Sequence, residues 1–216
     1  MIVKMRMTPN PITVDKDVNI LDALKLMQDN QIRRLPVMDN GRLVGIVTDR
    51  DLREVSPSPA STLSIFELNY LLSKTKIKDI MTKNVITISP DALIEEAASL
   101  MREHTIGGLP VVDDNGKLVG IITETNIFDV FMEIMGINTP STRLTIYVEN
   151  KIGSLAGITQ IIKEQNLDII SLITYTATGN QERGNVVIRV GTTEPENLIA
   201  AMEEAGYKIV NWVVTK

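Results

Sequence analysis

Gly45-Ile46-Val47-Thr48-Asp49-Arg50-Asp51-Leu52 returns as Gly120-Ile121-Ile122-Thr123-Glu124-Thr125-Asn126-Ile127, 75 positions later if counted from Thr48 to Thr123. In each copy a glycine opens a short β-branched run. A threonine follows, Asp or Asn comes three residues after it, and an apolar residue then starts a helical pattern. This reads as a strand handing over to a helix, with a polar cluster at the joint. Such joints suit anionic ligands, because free N–H groups and the helix dipole both point there.

Working outward, more of the chain proves to be duplicated. Met7-Thr8-Pro9-Asn10-Pro11-Ile12-Thr13-Val14 matches Met81-Thr82-Lys83-Asn84-Val85-Ile86-Thr87-Ile88 at an offset of 74. At the same offset, Ile20, Ala23, Leu24 and Met27 match Ile94, Ala97, Ala98 and Met101. Their spacing predicts an amphipathic helix in each copy, with both methionines in the core. Leu35-Pro36-Val37 matches Leu109-Pro110-Val111, and Asp39-Asn40-Gly41 pairs with Asp113-Asp114-Asn115-Gly116 as hairpin turns. Each half reads strand, helix, strand, turn, strand, helix. Such a unit leaves apolar faces it cannot bury alone, so two copies are expected to pack about a local two-fold axis.

Between the copies, Ser56-Pro57-Ser58-Pro59-Ala60-Ser61 is a turn-rich linker, and Ile65, Leu68, Leu71 and Leu72 give a short helical stripe. After the second copy Gly136 and Pro140 end a helix. From Ser141 the repeat does not return. Leu144 to Val148, Ile169 to Thr176, Val186 to Val190 and Lys208 to Val214 read as strands. Leu155, Ile158, Ile161 and Ile162 mark one helix. Leu198, Ile199 and Met202 mark another, ahead of which Thr193 and Glu196 have capping-box spacing. Thr178-Gly179-Asn180 turns, and Gly206 closes the second helix. The order βαββαβ predicts a ferredoxin-like sheet with helices on one face.

The 216 residues, 44% apolar and 23% charged, describe ordinary globular protein. A net charge of −5 argues against a nucleic-acid binder, which needs a basic face. There is no cysteine, which removes disulfides and thiolate chemistry. His104 is the single histidine, so a histidine-rich metal site is excluded and a surface or helix-end role is expected. No apolar run reaches the ~18 residues that cross a bilayer, and the start has no signal-peptide core. A soluble cytoplasmic protein is expected, with no membrane partner. With no P-loop, no dinucleotide fingerprint and no cysteine nucleophile, the chain is read as no enzyme.

The paired halves resemble a tandem of CBS domains, a Bateman module, over roughly Val3 to Phe131. The resemblance rests on the Met-Thr opening, the Leu-Pro-Val strand and the Gly-x-x-Thr-x-x-Asp/Asn joint, each found twice. Arg143 to about Val214, with its strand-turn-helix around Asn150 to Leu155, resembles an ACT domain, although Ile152 stands where that turn often carries proline. The whole order is similar to the acetoin utilization protein AcuB family. The resemblance implies an α+β chain with a CBS repeat and linker over 1–76, a second repeat and linker over 77–140, and an ACT domain over 141–216. It also implies a non-catalytic sensor with no required cofactor. An adenosine ligand (AMP, ADP, ATP or S-adenosylmethionine) would occupy the CBS pair, an amino acid the ACT turn, and the state would pass to a regulated protein through a homodimer or tetramer. The alternative is a dimerising scaffold without a small-molecule ligand.

Carried onto these residues, the CBS pattern gives two unequal sites. One joins Thr48, Arg50 and Asp51 to Thr87, Ile106, Gly107, Gly108 and Pro110. The other joins Thr123, Thr125 and Asn126 to Thr13, Ile32, Arg33, Arg34 and Pro36. Asp51 would hold a ribose diol through charge-assisted hydrogen bonds, Asn126 would offer its carbonyl oxygen in the twin site, and Arg33 and Arg34 would meet phosphate. The ACT site would comprise Asn150, Lys151, Ile152, Gly153, Ser154 and Leu155. Each feature also has a plainer reading. Thr48 with Asp51, and Thr123 with Asn126, have helix-cap spacing, and the arginines are equally read as solvated charges.

Overall fold

The computed structural model describes residues 1–55, 65–149, 151–176 and 183–216. The expected Ser-Pro linker at 56–61, Asn150 and the turn at 178–180 lie outside the described residues. Contacts divide the chain into two compact units, Met1–Ile127 and Phe128–Lys216. The second unit thus begins ahead of residue 141, the start that the sequence reading gives to the last domain.

In the first unit the chain runs β1 (Thr8–Pro9), β2 (Val14–Asp15), α1 (Ile20–Asp29), β3 (Arg34–Asp39), β4 (Arg42–Thr48) and α2 (Asp49–Glu54). It continues through α3 (Ile65–Lys74), α4 (Ile77–Ile80), α5 (Ile94–His104), β5 (Gly108–Val112), β6 (Leu118–Thr123) and α6 (Glu124–Ile134), which crosses into the second unit. The duplicated apolar positions are the core positions. Ile20, Ala23, Met27, Leu35, Val37 and Val47 are buried, and so are their counterparts Ile94, Ala97, Met101, Leu109, Val111 and Ile122. Leu72 of the expected stripe packs into the first core as well. Asn40 and Gly41 both have positive φ, as a two-residue hairpin turn requires, and Gly116 has it in the second hairpin. His104 is exposed at the last residue of α5.

Each opening segment leaves its own repeat and completes the other. Thr8 pairs with Ile121 of β6, and Thr82 exchanges both backbone bonds with Ile46 of β4, N···O 3.0 Å each way. Ahead of these strands, Val3 donates to Ala92 O and Ile77 to Val18 O, each at 2.9 Å. The glycines that begin the duplicated joints are needed here. A Cβ on Gly45 would collide with Met81 Sδ, and one on Gly120 with Met7 Sδ. The Met-Thr opening and the glycine of the opposite joint are therefore one interlocking pair, made twice.

The second unit holds β7 (Ser141–Glu149), α7 (Ser154–Glu164), β8 (Ile169–Thr176), β9 (Arg183–Val190), α8 (Glu196–Glu204) and β10 (Lys208–Thr215). Its sheet has the order β10-β7-β9-β8 with every neighbour antiparallel, the ferredoxin-like arrangement. Alternate residues Leu144 and Ile146 of β7, and Val186, Ile188 and Val190 of β9, meet Ile158 and Ile162 of α7 and Leu198 and Met202 of α8. The expected capping box at Thr193 does not form. Pro195 is the N-cap of α8 without a side-chain bond, and the hydroxyl that serves the preceding turn is Thr192, which accepts from Glu194 N at 3.1 Å. Gly206, at φ +85°, ends α8 as expected.

Replacing Gly120 by alanine should force Met7 out of its seat and cost about 1–3 kcal/mol, the usual range for overpacking. Urea unfolding of the full chain measures this, and an unchanged midpoint would show that the methionine yields without loss.

Candidate functional site

The interlocked repeats leave two clefts built from corresponding residues. The first encloses about 460 Å³ and the second about 560 Å³. Both fall within the ~300–1,000 Å³ of small-molecule sites. In the first, Ile46, Val85, Ile86, Ile106 and Pro110 supply apolar walls, and Thr48, Arg50, Asp51, Thr82 and Asn84 supply polar groups. In the second, Ile121, Pro11, Ile12 and Ile32 take the apolar positions, and Thr123, Thr125, Asn126, Thr8 and Asn10 the polar ones. Each cleft thus draws its joint from one repeat and its slot from the other.

Asp51 makes the cap that its spacing predicts. Its Oδ2 accepts from Thr48 N and Thr48 Oγ1, each at 2.8 Å, and its own N–H donates to Thr48 Oγ1 at 3.3 Å. Both capping bonds fall on one carboxylate oxygen. Asn126 repeats the geometry: its Oδ1 accepts from Thr123 N at 2.9 Å and from Thr123 Oγ1 at 2.8 Å. This corrects the expectation that Asn126 presents its carbonyl oxygen to a ligand. Two donors at Thr123 require an acceptor, so the oxygen is committed to the cap and Nδ2, a donor, is what remains. A carboxylate can cap and still offer an acceptor, whereas a carboxamide cannot.

The cleft linings include most of the expected residues. Thr48, Arg50, Asp51, Ile106, Gly107, Gly108 and Pro110 line the first, and Thr123, Thr125, Asn126, Ile32, Arg33 and Arg34 the second. Thr87, Thr13 and Pro36 are not among the lining residues. Ile86 and Ile12, one position earlier, stand there instead, and Pro36 is buried in β3. Arg50 is held by Glu54, Nε···Oε1 2.8 Å, on a largely exposed helix face. Sequence reasoning missed Thr82 and Asn84, with their counterparts Thr8 and Asn10, although their recurrence at the same offset was visible.

Arg33 and Arg34 line both clefts. Arg34 lies over the glycine pair: a Cβ on Gly107 would strike its Nη2, and one on Gly108 would come within 3.1 Å of its Cδ. Burial holds the Arg34 guanidinium below the usual arginine range, while Glu124 and Asp49 facing it work in the opposite direction.

In the second unit a third cleft of about 550 Å³ lies at the β7–α7 turn, lined by Lys151, Gly153, Ser154 and Leu155 together with Thr174, Tyr175 and Asn185. Gly153 adopts φ +91° as N-cap of α7, and Ser154 Oγ donates to Glu149 O at 2.8 Å and to Lys151 O at 2.9 Å, which closes the turn. Ile152 is fully exposed and does not line the cleft. No group of His, Asp or Glu among the described residues could hold a metal, and no helix among them is long and apolar enough to cross a membrane.

Comparison with known proteins agrees with the twofold construction. The CBS domain model matches residues 3–58 and 77–133, more than half of the chain. A solved structure of CBSX2 from Arabidopsis thaliana in complex with AMP is 35% identical, with a TM-score of 0.52, over 62% of this chain and 98% of that one. A structure described as the acetoin utilization protein AcuB from Vibrio cholerae is 32% identical, TM-score 0.53, over 64% of this chain and 95% of that one. Inosine-5'-monophosphate dehydrogenase of Bacillus subtilis is 32% identical over 93% of this chain, which corresponds to 41% of the dehydrogenase. With two matched copies, interlocked openings and twin clefts, the chain belongs to the CBS domain family.

Proposed function

We propose that the chain is a non-catalytic regulatory sensor whose CBS pair binds an adenosine-containing ligand. The observation that carries this is the first cleft. There an aliphatic slot for a flat base (Ile86, Ile106, Pro110) faces an anchored carboxylate, Asp51, whose second oxygen is not used by the cap. A ribose diol donates to such an oxygen through charge-assisted hydrogen bonds. The AMP complex of CBSX2 supports the adenosine class. The first cleft, with the better ribose acceptor, is the one that fills first.

The turn at Lys151 to Leu155 is the proposed second input. Its cleft would take an amino acid in the manner of an ACT domain, with Gly153 allowing close approach of the backbone. Either ligand would act through its differential affinity for two conformations and pass that bias to a regulated protein in the cytoplasm. The similarity to AcuB supports a role in acetoin utilization.

Pairing of two copies has an observation of its own. Phe128, Phe131, Met132 and Ile134 form an exposed stripe on α6, at helical spacing. We propose that α6 is where two copies of the chain meet. Phe131→Asp should convert the dimer to monomer in analytical ultracentrifugation, and an unaltered sedimentation profile would remove α6 from the interface.

Asp51→Asn separates binding from folding. The twin joint shows that a carboxamide makes the same cap, so the melting temperature of the variant should be preserved. Loss of a charged hydrogen bond to ribose should weaken AMP or ATP by about 1.5–3 kcal/mol, roughly ten- to a hundredfold. Calorimetric titration of the unaltered chain and the variant measures this. Equal affinities would take Asp51 out of the site.

Thermal shift tests both inputs at once. A ligand of the folded chain at about a hundred times its dissociation constant adds about 2.7 kcal/mol of apparent stability. A shift with adenine nucleotides and a separate one with an amino acid are expected. No shift with any adenosine compound would favour the scaffold reading.

A further inference from the structure

Arg33 and Arg34 break the symmetry of the two clefts. Their counterparts in the second repeat are Gly107 and Gly108, so the pair of repeats carries these cations once. The side chain of Arg34 occupies the space above the two glycines, from where it reaches both clefts. It faces Asp49, which lines the first cleft, and Glu124, which lines the second. Those two carboxylates occupy the same position in the two copies of the joint. Arg34 therefore lies near matched acidic groups, one per cleft. Arg33, by contrast, is exposed.

We infer that Arg34 is a shared phosphate-specificity residue that serves one cleft at a time, so that the two clefts compete for it when the ligand carries a 5′-phosphate. This rests on the adenosine reading above. A phosphate in one cleft draws the guanidinium to itself as its counter-charge. The other cleft is then left with its carboxylate facing an incoming phosphate without Arg34 between them; Arg33, which lines both clefts, is exposed, and Arg50 in the first is paired with Glu54. The second phosphorylated ligand binds more weakly for that reason. A ligand without phosphate asks nothing of Arg34, and its two sites fill independently. The coupling is reciprocal, as linkage between two sites requires.

The test is calorimetric titration of the full chain with ATP and with adenosine. Two further chains each retain one open cleft: Ile106→Trp fills the first slot and Ile32→Trp the second. ATP should bind each single-cleft variant as tightly as that cleft ever binds it. On the unaltered chain, the second ATP should bind about tenfold or more weakly than in the corresponding single-cleft variant, the scale of one charge-assisted contact. Adenosine should show no such penalty, and this comparison reads the coupling on the unaltered chain without relying on the tryptophan variants. In Arg34→Ala the penalty should vanish while both clefts lose affinity for ATP. A second ATP that binds the unaltered chain without penalty would overturn the inference, as it would if Arg33 and Arg34 served one cleft each. A penalty that persists in Arg34→Ala would also overturn it, by assigning the effect to repulsion between the two ligands. Failure of both ATP and adenosine to bind would overturn the adenosine reading itself, whereas adenosine binding with uncoupled ATP binding would overturn the shared arginine alone.

Discussion

The first unit depends on a reciprocal exchange at the edges of its two sheets. A β-hairpin with one parallel neighbour leaves a row of unpaired N–H and C=O groups along its far edge. In each repeat that edge is closed by the opening strand of the other, through Thr8 on β6 and Thr82 on β4. Methionine and glycine make the fit specific. Met7 rests on Gly120 and Met81 on Gly45, where a Cβ would meet the methionine sulfur. Neither repeat can satisfy its backbone or bury its apolar faces alone, so the clefts between them exist only because the exchange is made.

The cleft chemistry is built on a helix cap. A threonine hydroxyl and backbone N–H take hold of one oxygen of the residue three positions on, which fixes that side chain at the mouth of the cleft. The cap is structural in both copies, and what it leaves over differs. Asp51 retains a charged acceptor, and Asn126 retains a donor. One substitution within an otherwise matching local geometry thus leaves different groups over at the two joints, without any difference in fold. Capping and ligand contact are not competing explanations for Asp51, because the same bonds that cap the helix also orient the carboxylate.

Much of this was legible in the sequence because duplication is a strong signal. The offsets of 74 and 75 mark the core face of α1 and α5, the two hairpins and both joints, and the buried positions fall on them. The βαββαβ order of the second unit was legible from alternation and turn residues. The exchange was not, because periodicity says which face of an element is apolar and nothing about which sheet receives it. The same limit explains Thr13 and Thr87. Residues 12–13 and 86–87 lie outside the regular strands, where no strand periodicity says which side chain turns to the cleft, and Ile12 and Ile86 stand there. The missing capping box before α8 has a different cause: Thr192, one residue earlier, satisfies the turn, and Pro195 begins the helix.

The asymmetry at Arg34 follows from space as much as from charge. Two arginines facing each other across the axis would place like charges at one point and force both side chains into the same volume. A Cβ on Gly107 already collides with Arg34, before any longer side chain is considered. The glycine pair is therefore the steric complement of the arginine pair. A duplicated module of this shape can hold such a cation in one repeat only if the opposite position is left empty. A near-symmetric backbone thus carries unequal side chains at corresponding positions, and Arg33 and Arg34, present once, line both clefts.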